Sequence, residues 1–375
     1  AVTQKVNDTE RISENYKYRR ERERSQMNAI TLALAISSIV AVPPWVKKTD
    51  FKNFDRIERF SAPTAISSFP TKLSQQTLVN SYINQIQIDN LKAHVNKLTS
   101  FPERYYQSQN GADAATWLYN EVVNLAKSAS PKVKLTVKYF QHSQWTQPSV
   151  IARLEPVTST GPGDIIITGT HFDTASYDIG GGSGDISRPN PAADDCASGS
   201  SVIAETLRIL VAQNFVPKRP IEFHWYAAEE EGLLGSDEVA NDYASRQVPV
   251  FTYLNLDQSG YVQPGATPGI GIITDYTTSD ATNFLTQTVK TYTTVTRTGT
   301  FQCGYECTDN AAWYDAGYNS ALAFEAPTNS EAFPYNDQVN YDGTFLDTID
   351  NVSFDHVAQF VRNTLGFVVE LSLAP

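Results

Sequence analysis

From residue 88 onward, segments with the apolar spacing of a helix alternate with short apolar runs typical of strands. Apolar residues three and four positions apart predict helices over residues 88–101, 112–128, 200–213, 236–245, 281–292 and 354–373. Short apolar runs predict strands over residues 133–140, 149–154, 164–170, 221–226, 252–256, 269–274 and 321–325. Because strands alternate with helices, we expect an α/β fold whose mixed, largely parallel central sheet is sandwiched by helices.

The chain ahead of this pattern carries a candidate export signal. Met27 is the only methionine, and the uncharged apolar run at 29–42 is too short to span a bilayer but suits a signal-peptide core. A buried helix is the alternative, although such helices seldom end in Val-Pro-Pro-Trp. We expect an upstream or non-native segment over residues 1–26, a signal peptide over 27–41, a pro-segment over 42–80 and one domain over 81–375.

The net charge of the chain argues against some classes of binding partner. The 375 residues carry a formal net charge of −12, which argues against nucleic acid or an anionic membrane surface as partner. A hydrophobic content of 41% is typical of a folded globular protein. No apolar run exceeds the one at 29–42, so we expect no transmembrane helix. The expected protein is secreted, extracellular and monomeric.

The three cysteines agree with export. Cys303 and Cys307 have a spacing that can close a small disulfide loop, and as a pair they lack the other two ligands of a zinc site. Cys196 is left over. It is a soft metal ligand in principle, but we expect its side chain to point away from any metal. Asn351 begins a sequon, which predicts a glycoprotein if the chain is exported.

Polar and acidic residues gather in four stretches near predicted strand ends. These are His171 and Asp173, then Asp194 and Asp195, then Glu229, Glu230 and Glu231, and finally Asp257. In a parallel sheet the carboxyl ends of strands form the ligand-binding edge, so the stretches are expected to meet there. Each stretch alone also fits a helix cap, because carboxylates favour helix N-termini.

Taken together, the four stretches favour a metal site over helix caps. Carboxylates crowded at one sheet edge repel one another, and a partly buried cluster without counter-charge is costly. A divalent cation removes that cost. Histidine and carboxylate ligands with open positions are those of hydrolytic zinc sites, where the metal lowers the pKa of water. A carboxylate left off the metal can then accept the proton of that water.

Seven segments between residues 90 and 373 resemble a known family. They are "LTSFPERYYQSQNGADAATWL", "GTHFDT", "ADDCASGSS", "AAEEEGLLGS", "LNLDQSGY", "CGYECTDNAAWYDAGY" and "FEA". In number, order and spacing they resemble the zinc aminopeptidases of the M28 type, specifically the secreted bacterial and fungal leucine aminopeptidase branch. The resemblance implies a three-layer, phosphorylase/hydrolase-like zinc exopeptidase fold and peptide substrates.

The resemblance also implies a pair of zinc ions. His171 and Asp257 would hold one ion, Glu230 would hold the other, and Asp195 would bridge the two. The family binds the metal of Glu230 through a further histidine, but an alignment on "DT" at 347–348 places Gly343 there. The second ion would then be weak or absent unless another residue replaces the histidine, with Asp342, Asn340 and Tyr341 as the candidates.

Further roles rest on the same resemblance. Glu229 matches the general base, and Asp173 matches the acid that orients His171. Tyr305, in a loop closed by a Cys303–Cys307 disulfide, matches a tyrosine that stabilises the oxyanion. The peptide bond between residues 194 and 195 is expected to be cis. The remaining histidines match no ligand position: His94, His142, His356 and His224, the last expected to pack inside a strand.

Three functions agree with these motifs. The first is an exported metallo-aminopeptidase that hydrolyses N-terminal, apolar residues from peptides, with Glu229 taking the proton of the attacking water. The second is a catalytically impaired family member that binds peptides or a partner, because a ligand histidine is replaced. The third is a one-metal enzyme of the same fold with another acyl-transfer reaction, as in glutaminyl cyclases. Retention of Glu229 and of "AAEEEGLLGS" favours the first.

Overall fold

The computed structural model describes residues 62–63, 67–159, 161–175, 186–187, 189–328 and 346–374. Within them, eight strands form one sheet: β1 Val133–Phe140, β2 Ser149–Pro156, β3 Ile165–His171, β4 Ile221–Tyr226, β5 Val250–Leu256, β6 Gly269–Ile273, β7 Arg297–Phe301 and β8 Ser320–Phe324. The order across the sheet is β1-β2-β4-β3-β5-β8-β6-β7. The central strands β4, β3, β5 and β8 run parallel, and antiparallel pairs join β1 to β2, β2 to β4 and β8 to β6.

Helices cover both faces of this sheet. They are α1 Gln76–Ile83, α2 Ile88–Thr99, α3 Gln109–Ala126, α4 Gly199–Ala212, α5 Leu234–Ser245, α6 Ser279–Tyr292, α7 Asn310–Asp315 and α8 Phe354–Leu373, with a short π-helix Ala193–Ser198 leading into α4. Helices α5 and α7 pack on one face and the others on the opposite face. On β3, Ile166 faces one core while Ile165 and Ile167 face the other. The expected α/β architecture is confirmed.

Most predicted elements coincide with observed ones to within three residues. Sequence reasoning missed α1, α7 and β7. The β7 sequence "RTGTF" is short and polar, and it lies at the sheet edge with alternating half-buried and exposed residues, so it shows no apolar run. Helix α7 has six residues, too few to show a helical period.

Residues from 67 onward, which fall in the predicted pro-segment, pack on the sheet and helices. The Phe69 ring lies 4.7 Å from that of Phe251 and 5.7 Å from that of Phe284, centroid to centroid. The buried guanidinium of Arg219 donates to Ser67 Oγ at 2.8 Å. These contacts belong to the same core as the strands. Where the mature chain begins stays a prediction.

A buried carboxylate on the last helix holds the segment before α1. Glu370 is 1% exposed and accepts the backbone N–H groups of Ser74 at 2.7 Å and Gln75 at 2.9 Å. It also accepts the hydroxyl of Tyr292. Because the first N–H groups of a helix lack partners within it, a carboxylate there stabilises the helix start.

Some predictions concern residues outside this description: those for segments 1–26 and 27–41 and for Gly343, Asp342, Asn340 and Tyr341. Among the described helices, none combines the length and apolar character needed to cross a membrane. The half-buried Asn351 lies in a short 3₁₀ helix, Ile349–Asn351, and its side chain donates to the carbonyl of Leu346 at 3.0 Å. Its glycosylation stays a prediction.

We expect Glu370→Gln to lower the free energy of unfolding by about 1–3 kcal/mol, because the amide places a donor against a backbone N–H group that Glu370 accepts. Urea denaturation followed by circular dichroism measures the change. The matched control is Glu121→Gln on an exposed position of α3, which should stay within about 0.5 kcal/mol of the unmodified protein. Equal losses in the two variants would contradict the role of Glu370.

Candidate active site

The predicted site residues meet at the carboxyl ends of three adjacent parallel strands. His171 is the last residue of β3, Glu229 and Glu230 follow β4, and Asp257 follows β5 directly. Because β3 lies between β4 and β5, the loops after these strands share one edge of the sheet. The π-helix before α4 brings Asp195 to the same edge.

His171 lies at the centre of this cluster. Its Nε2 is 2.9 Å from Asp195 Oδ1 and 3.4 Å from Asp257 Oδ1. One donor atom each of His171, Asp195 and Glu230 lie within 4.8 Å of one another, and all three residues are buried. The same holds for a second set, His171, Cys196 and Asp257. The expected direction of the Cys196 side chain is therefore wrong, because its thiol faces the cluster.

The donor atoms of the cluster fit a divalent metal ion. Both ring nitrogens of His171, Oε1 of Glu230 and Oδ1 of Asp257 are buried and complete no hydrogen bond with protein groups. Buried polar atoms in native proteins nearly always have a partner, and an ion is one that satisfies several such atoms at once. Imidazole nitrogen and carboxylate oxygen are common zinc donors.

Asp173 connects His171 to the loop after β4. Its Oδ1 is 3.4 Å from His171 Nδ1 and accepts the N–H of Glu229 at 3.0 Å, while its Oδ2 accepts the N–H of Glu230 at 3.3 Å. One buried carboxylate thus restrains the imidazole ring and the backbone of both glutamates. The preceding residue, Ala228, has a φ of 56°, a left-handed conformation that non-glycine residues rarely adopt and that clusters at functional sites.

Asp195 is held by residues to which sequence reasoning gave no role. Asp347 accepts the N–H of Asp194 through Oδ1 and that of Asp195 through Oδ2, both at 2.9 Å. The side-chain amide of Gln258 donates to Asp195 Oδ2 at 3.0 Å. The other oxygen, Oδ1, is therefore the one that faces His171. Nothing in the residue type of Asp347 or Gln258 signals these contacts.

Arg104 is a buried cation behind the cluster. Its guanidinium donates to the carbonyl groups of Phe172 at 2.7 Å, Pro191 at 2.7 Å and Ala192 at 3.0 Å. It thereby ties the chain after β3 to the chain before Asp195. Burial lowers the pKa of Arg104 to about 10, with nearby carboxylates opposing the shift, so the group stays charged at neutral pH. Its segment was recognised only through the family resemblance.

The cluster holds more negative than positive groups. Burial raises the pKa of Glu229 and of Glu230 well above the ordinary value, and neighbouring carboxylates add to both shifts. For His171 burial lowers the pKa, but the surrounding acidic groups outweigh it and the pKa lies well above its usual range. Burial likewise raises the pKa of Asp309 to about 7. A bound cation would relieve this excess of negative charge.

One further expectation needs correction, and one alternative can be set aside. The cis peptide bond joins Asp195 to Cys196, one residue later than expected, because the non-helical turn of the chain falls at these two residues. The helix-cap interpretation also fails, since α4 and α5 begin after Ser198 and Leu233 without a side-chain cap. Asp194 instead accepts the N–H of residue 260 at 2.8 Å.

His171 is the one histidine of the five whose ring joins this cluster, and all five lie in described residues. The other four rings hydrogen-bond elsewhere: His94 to Ser200, His142 to Glu238, His224 to Glu222 and His356 to the carbonyl of Glu325. His224 is buried within β4, as expected. The missing ligand histidine is therefore not supplied by another part of the chain.

The expected disulfide between Cys303 and Cys307 is confirmed. Asp275 accepts the backbone N–H groups of Cys303 at 3.1 Å and Gly304 at 2.7 Å. Gly304 has a φ of 85°, which favours glycine at this turn. Tyr305 is half-buried between the two cysteines. Its role at the oxyanion stays a prediction, as do the roles assigned to the other site residues.

Residues 149–368, more than half of the chain, match the model of the family described as Peptidase family M28. The chain belongs to peptidase family M28. The matched region contains β2 to β8 and every residue of the metal cluster. The resemblance inferred from the seven segments is thus confirmed.

Two relatives of this M28 chain are aminopeptidases by name. A probable aminopeptidase of Saccharomyces cerevisiae is 33% identical over 322 residues, covering 85% of this chain and 81% of that protein. Leucine aminopeptidase 1 of Coccidioides posadasii is 34% identical over 316 residues, covering 82% and 77%. Among solved structures, LapB of Legionella pneumophila aligns with a TM-score of 0.73 at 29% identity, over 88% of this chain and 84% of that one.

Asp309→Asn is expected to stabilise the metal-free protein above pH 7. The carboxyl has a pKa of about 7 when folded against an ordinary value of 3.8, so the folded state binds more protons between these values. Stability is therefore lost as pH rises through that window. The asparagine variant lacks this loss and should exceed the unmodified protein by up to about 4 kcal/mol at alkaline pH.

Urea denaturation of chelator-treated protein across the window from about pH 4 to pH 8 measures this difference. The control is Asp355→Asn at an exposed position of α8, measured over the same pH range. A constant difference between Asp309→Asn and the unmodified protein across the range would contradict the raised pKa.

Proposed function

We propose that this chain is an exported zinc aminopeptidase that removes apolar N-terminal residues from peptides through an activated water. The coarser expectation, a metallo-aminopeptidase, is confirmed by the family match and by the aminopeptidase relatives. The observation that carries the proposal is the buried cluster around His171, whose nitrogen and oxygen atoms complete no hydrogen bond with the protein and suit a zinc ion. The apolar preference is supported by relatives named leucine aminopeptidase.

The residues that would hold zinc are those of the cluster. His171 and Asp257 would hold one ion, Glu230 a second, and Asp195 would lie between them. Bound zinc lowers the pKa of water and polarises a carbonyl group. The second ion is expected to bind more weakly, because His171 is the only imidazole that the described residues bring to the cluster.

The protons are moved by Glu229. Its backbone is held by Asp173 at 3.0 Å, which fixes the start of its side chain relative to His171. We propose that the Glu229 carboxylate takes a proton from the attacking water and returns it to the leaving amine. Burial and the neighbouring carboxylates raise the pKa of Glu229 above its ordinary value, which makes its carboxylate a stronger base.

The rest of the site would recognise the substrate. The excess of buried carboxylates favours a substrate with a protonated α-amino group, which is what distinguishes the N-terminus of a peptide from its interior. Tyr305, on the disulfide-closed loop, would donate its hydroxyl to the oxyanion. Peptides are the proposed substrates, and the protein is proposed to act as a monomer.

A catalytically impaired, peptide-binding family member is the second candidate. It is favoured by one observation, that four of the five histidines are engaged outside the cluster. Such a protein would bind one metal ion or none and would not hydrolyse peptides. Metal content by mass spectrometry, measured together with turnover, separates the two candidates.

Glu229→Gln is expected to lower kcat for leucine p-nitroanilide by at least about 100-fold, because a general base typically accelerates the reaction by at least this factor. Metal content should stay unchanged, since Glu229 is not among the proposed ligands. The matched control is the neighbouring Glu231→Gln, a half-buried position outside the cluster, which should keep most of the activity. Turnover that survives Glu229→Gln, or an unmodified protein without metal and turnover, would refute the aminopeptidase proposal.

Export is expected to remove residues 27–41. When the chain from Met27 is produced in a fungal host, the protein should reach the medium with an N-terminus at or after residue 42, found by N-terminal sequencing. The matched control lacks residues 28–41 and should stay in the cells. Retention of the unmodified chain inside the cells with residues 27–41 intact would contradict the export signal.

A further inference from the structure

The one cysteine outside the disulfide lies against the metal cluster. Cys196 follows Asp195 in the chain, is fully buried, and has its Sγ within 4.8 Å of a donor atom of His171 and of Asp257. Both ring nitrogens of His171 and Oδ1 of Asp257 are buried and complete no hydrogen bond with the protein. Three buried donors of different chemistry therefore converge. The contacts of His171 Nε2 to Asp195 and Asp257 are ion pairs at 2.9 and 3.4 Å rather than completed hydrogen bonds.

The surrounding chain fixes the thiol in this position. Thr170 Oγ1, on β3, lies 2.6 Å from the Sγ of Cys196. On the other side, Gly199 opens α4, and a Cβ atom there would lie 2.9 Å from the Sγ and 2.5 Å from the carbonyl oxygen of Asp257. Only glycine at this position leaves room for the sulfur where it lies against the cluster.

We propose that Cys196 is a sulfur ligand of the metal ion held by His171 and Asp257. The inference rests on the proposed function, because it adds a donor to the same metal cluster. On binding, the S–H bond breaks, a metal–sulfur bond forms, and the proton passes to the buffer. Thiolate is a soft donor that favours zinc over magnesium or calcium, and a metal deprotonates a coordinating thiol outright.

A sulfur ligand would also change the donor set of the ion held by His171 and Asp257. The described residues bring a single imidazole to the cluster. Without the thiol, the other donors to the ion would all be carboxylate oxygens, which are hard ligands. Cys196 would give the ion of His171 and Asp257 a set of nitrogen, oxygen and sulfur. The alternative is a buried cysteine that acts as a small apolar residue bonded to Thr170.

X-ray absorption at the zinc edge of the full-length protein separates these two roles. A sulfur ligand gives a scattering shell at about 2.3 Å, whereas nitrogen and oxygen ligands lie at about 2.0–2.2 Å. Replacement of zinc by cobalt gives a second test, because a thiolate ligand adds a charge-transfer band in the near ultraviolet. Any such band belongs to Cys196, since the other two cysteines form the disulfide.

Cys196→Ser and Cys196→Ala are the variants to compare with the unmodified protein. Each should lose the sulfur shell and the cobalt band, and zinc affinity in a chelator competition should fall by at least about tenfold, a free-energy change of about 1.4 kcal/mol. The serine variant preserves the size of the side chain and its bond to Thr170. It therefore separates loss of the ligand from loss of packing.

The outcomes for Cys196 and for the aminopeptidase proposal are distinguishable. If zinc binds and Glu229 is needed for turnover, but no sulfur shell or cobalt band appears, the Cys196 assignment is overturned and the proposed function stands. An unchanged zinc affinity in Cys196→Ser also overturns the assignment. If the unmodified protein binds no metal, both proposals fall. The absorption experiment needs no variant, so a poorly folding Cys196→Ala would not leave the question open.

Discussion

The buried carboxylates around His171 repel one another, and the folded chain has to hold them together. Burial and mutual repulsion raise the pKa of Glu229 and of Glu230 well above the ordinary value. Several donor atoms of His171 and its neighbours complete no hydrogen bond within the protein. Both effects are those of a site arranged for a cation, which supplies the missing charge and the missing partner together. The metal-free arrangement is therefore expected to be less stable than the metal-bound one.

Backbone hydrogen bonds and one buried cation offset the repulsion between these carboxylates. Asp173 and Asp347 each accept two backbone N–H groups beside the cluster, so their charges also position the segments that carry the ligands. Arg104 joins the chain after β3 to the chain before Asp195. These contacts link segments far apart in sequence. The site is consequently a product of the whole sheet and its loops rather than of any one motif.

Periodicity predicted most of the strands and helices, because the pattern of apolar residues reports directly which side of an element is buried. It failed for β7, an edge strand with the sequence "RTGTF" and no fully buried residue. The positions of His171, Asp195, Glu230 and Asp257 were predicted from the resemblance, and the structure brings their donor atoms together. The direction of the Cys196 thiol was predicted wrongly. Cys196 lies in an irregular turn, where neither helical nor strand periodicity indicates which way a side chain points.

The amino-acid sequence by itself determined the type and order of the elements, the family and the scarcity of histidine. These depend on the local pattern of apolar residues and on residue identity, both of which are explicit in the sequence. Only the tertiary structure decided that His171 stands alone among imidazoles at the cluster and that Cys196 faces it. The physical reason is that distances between side chains from separate strands depend on sheet order and on loop conformation. Neither is encoded in the periodicity of a single segment.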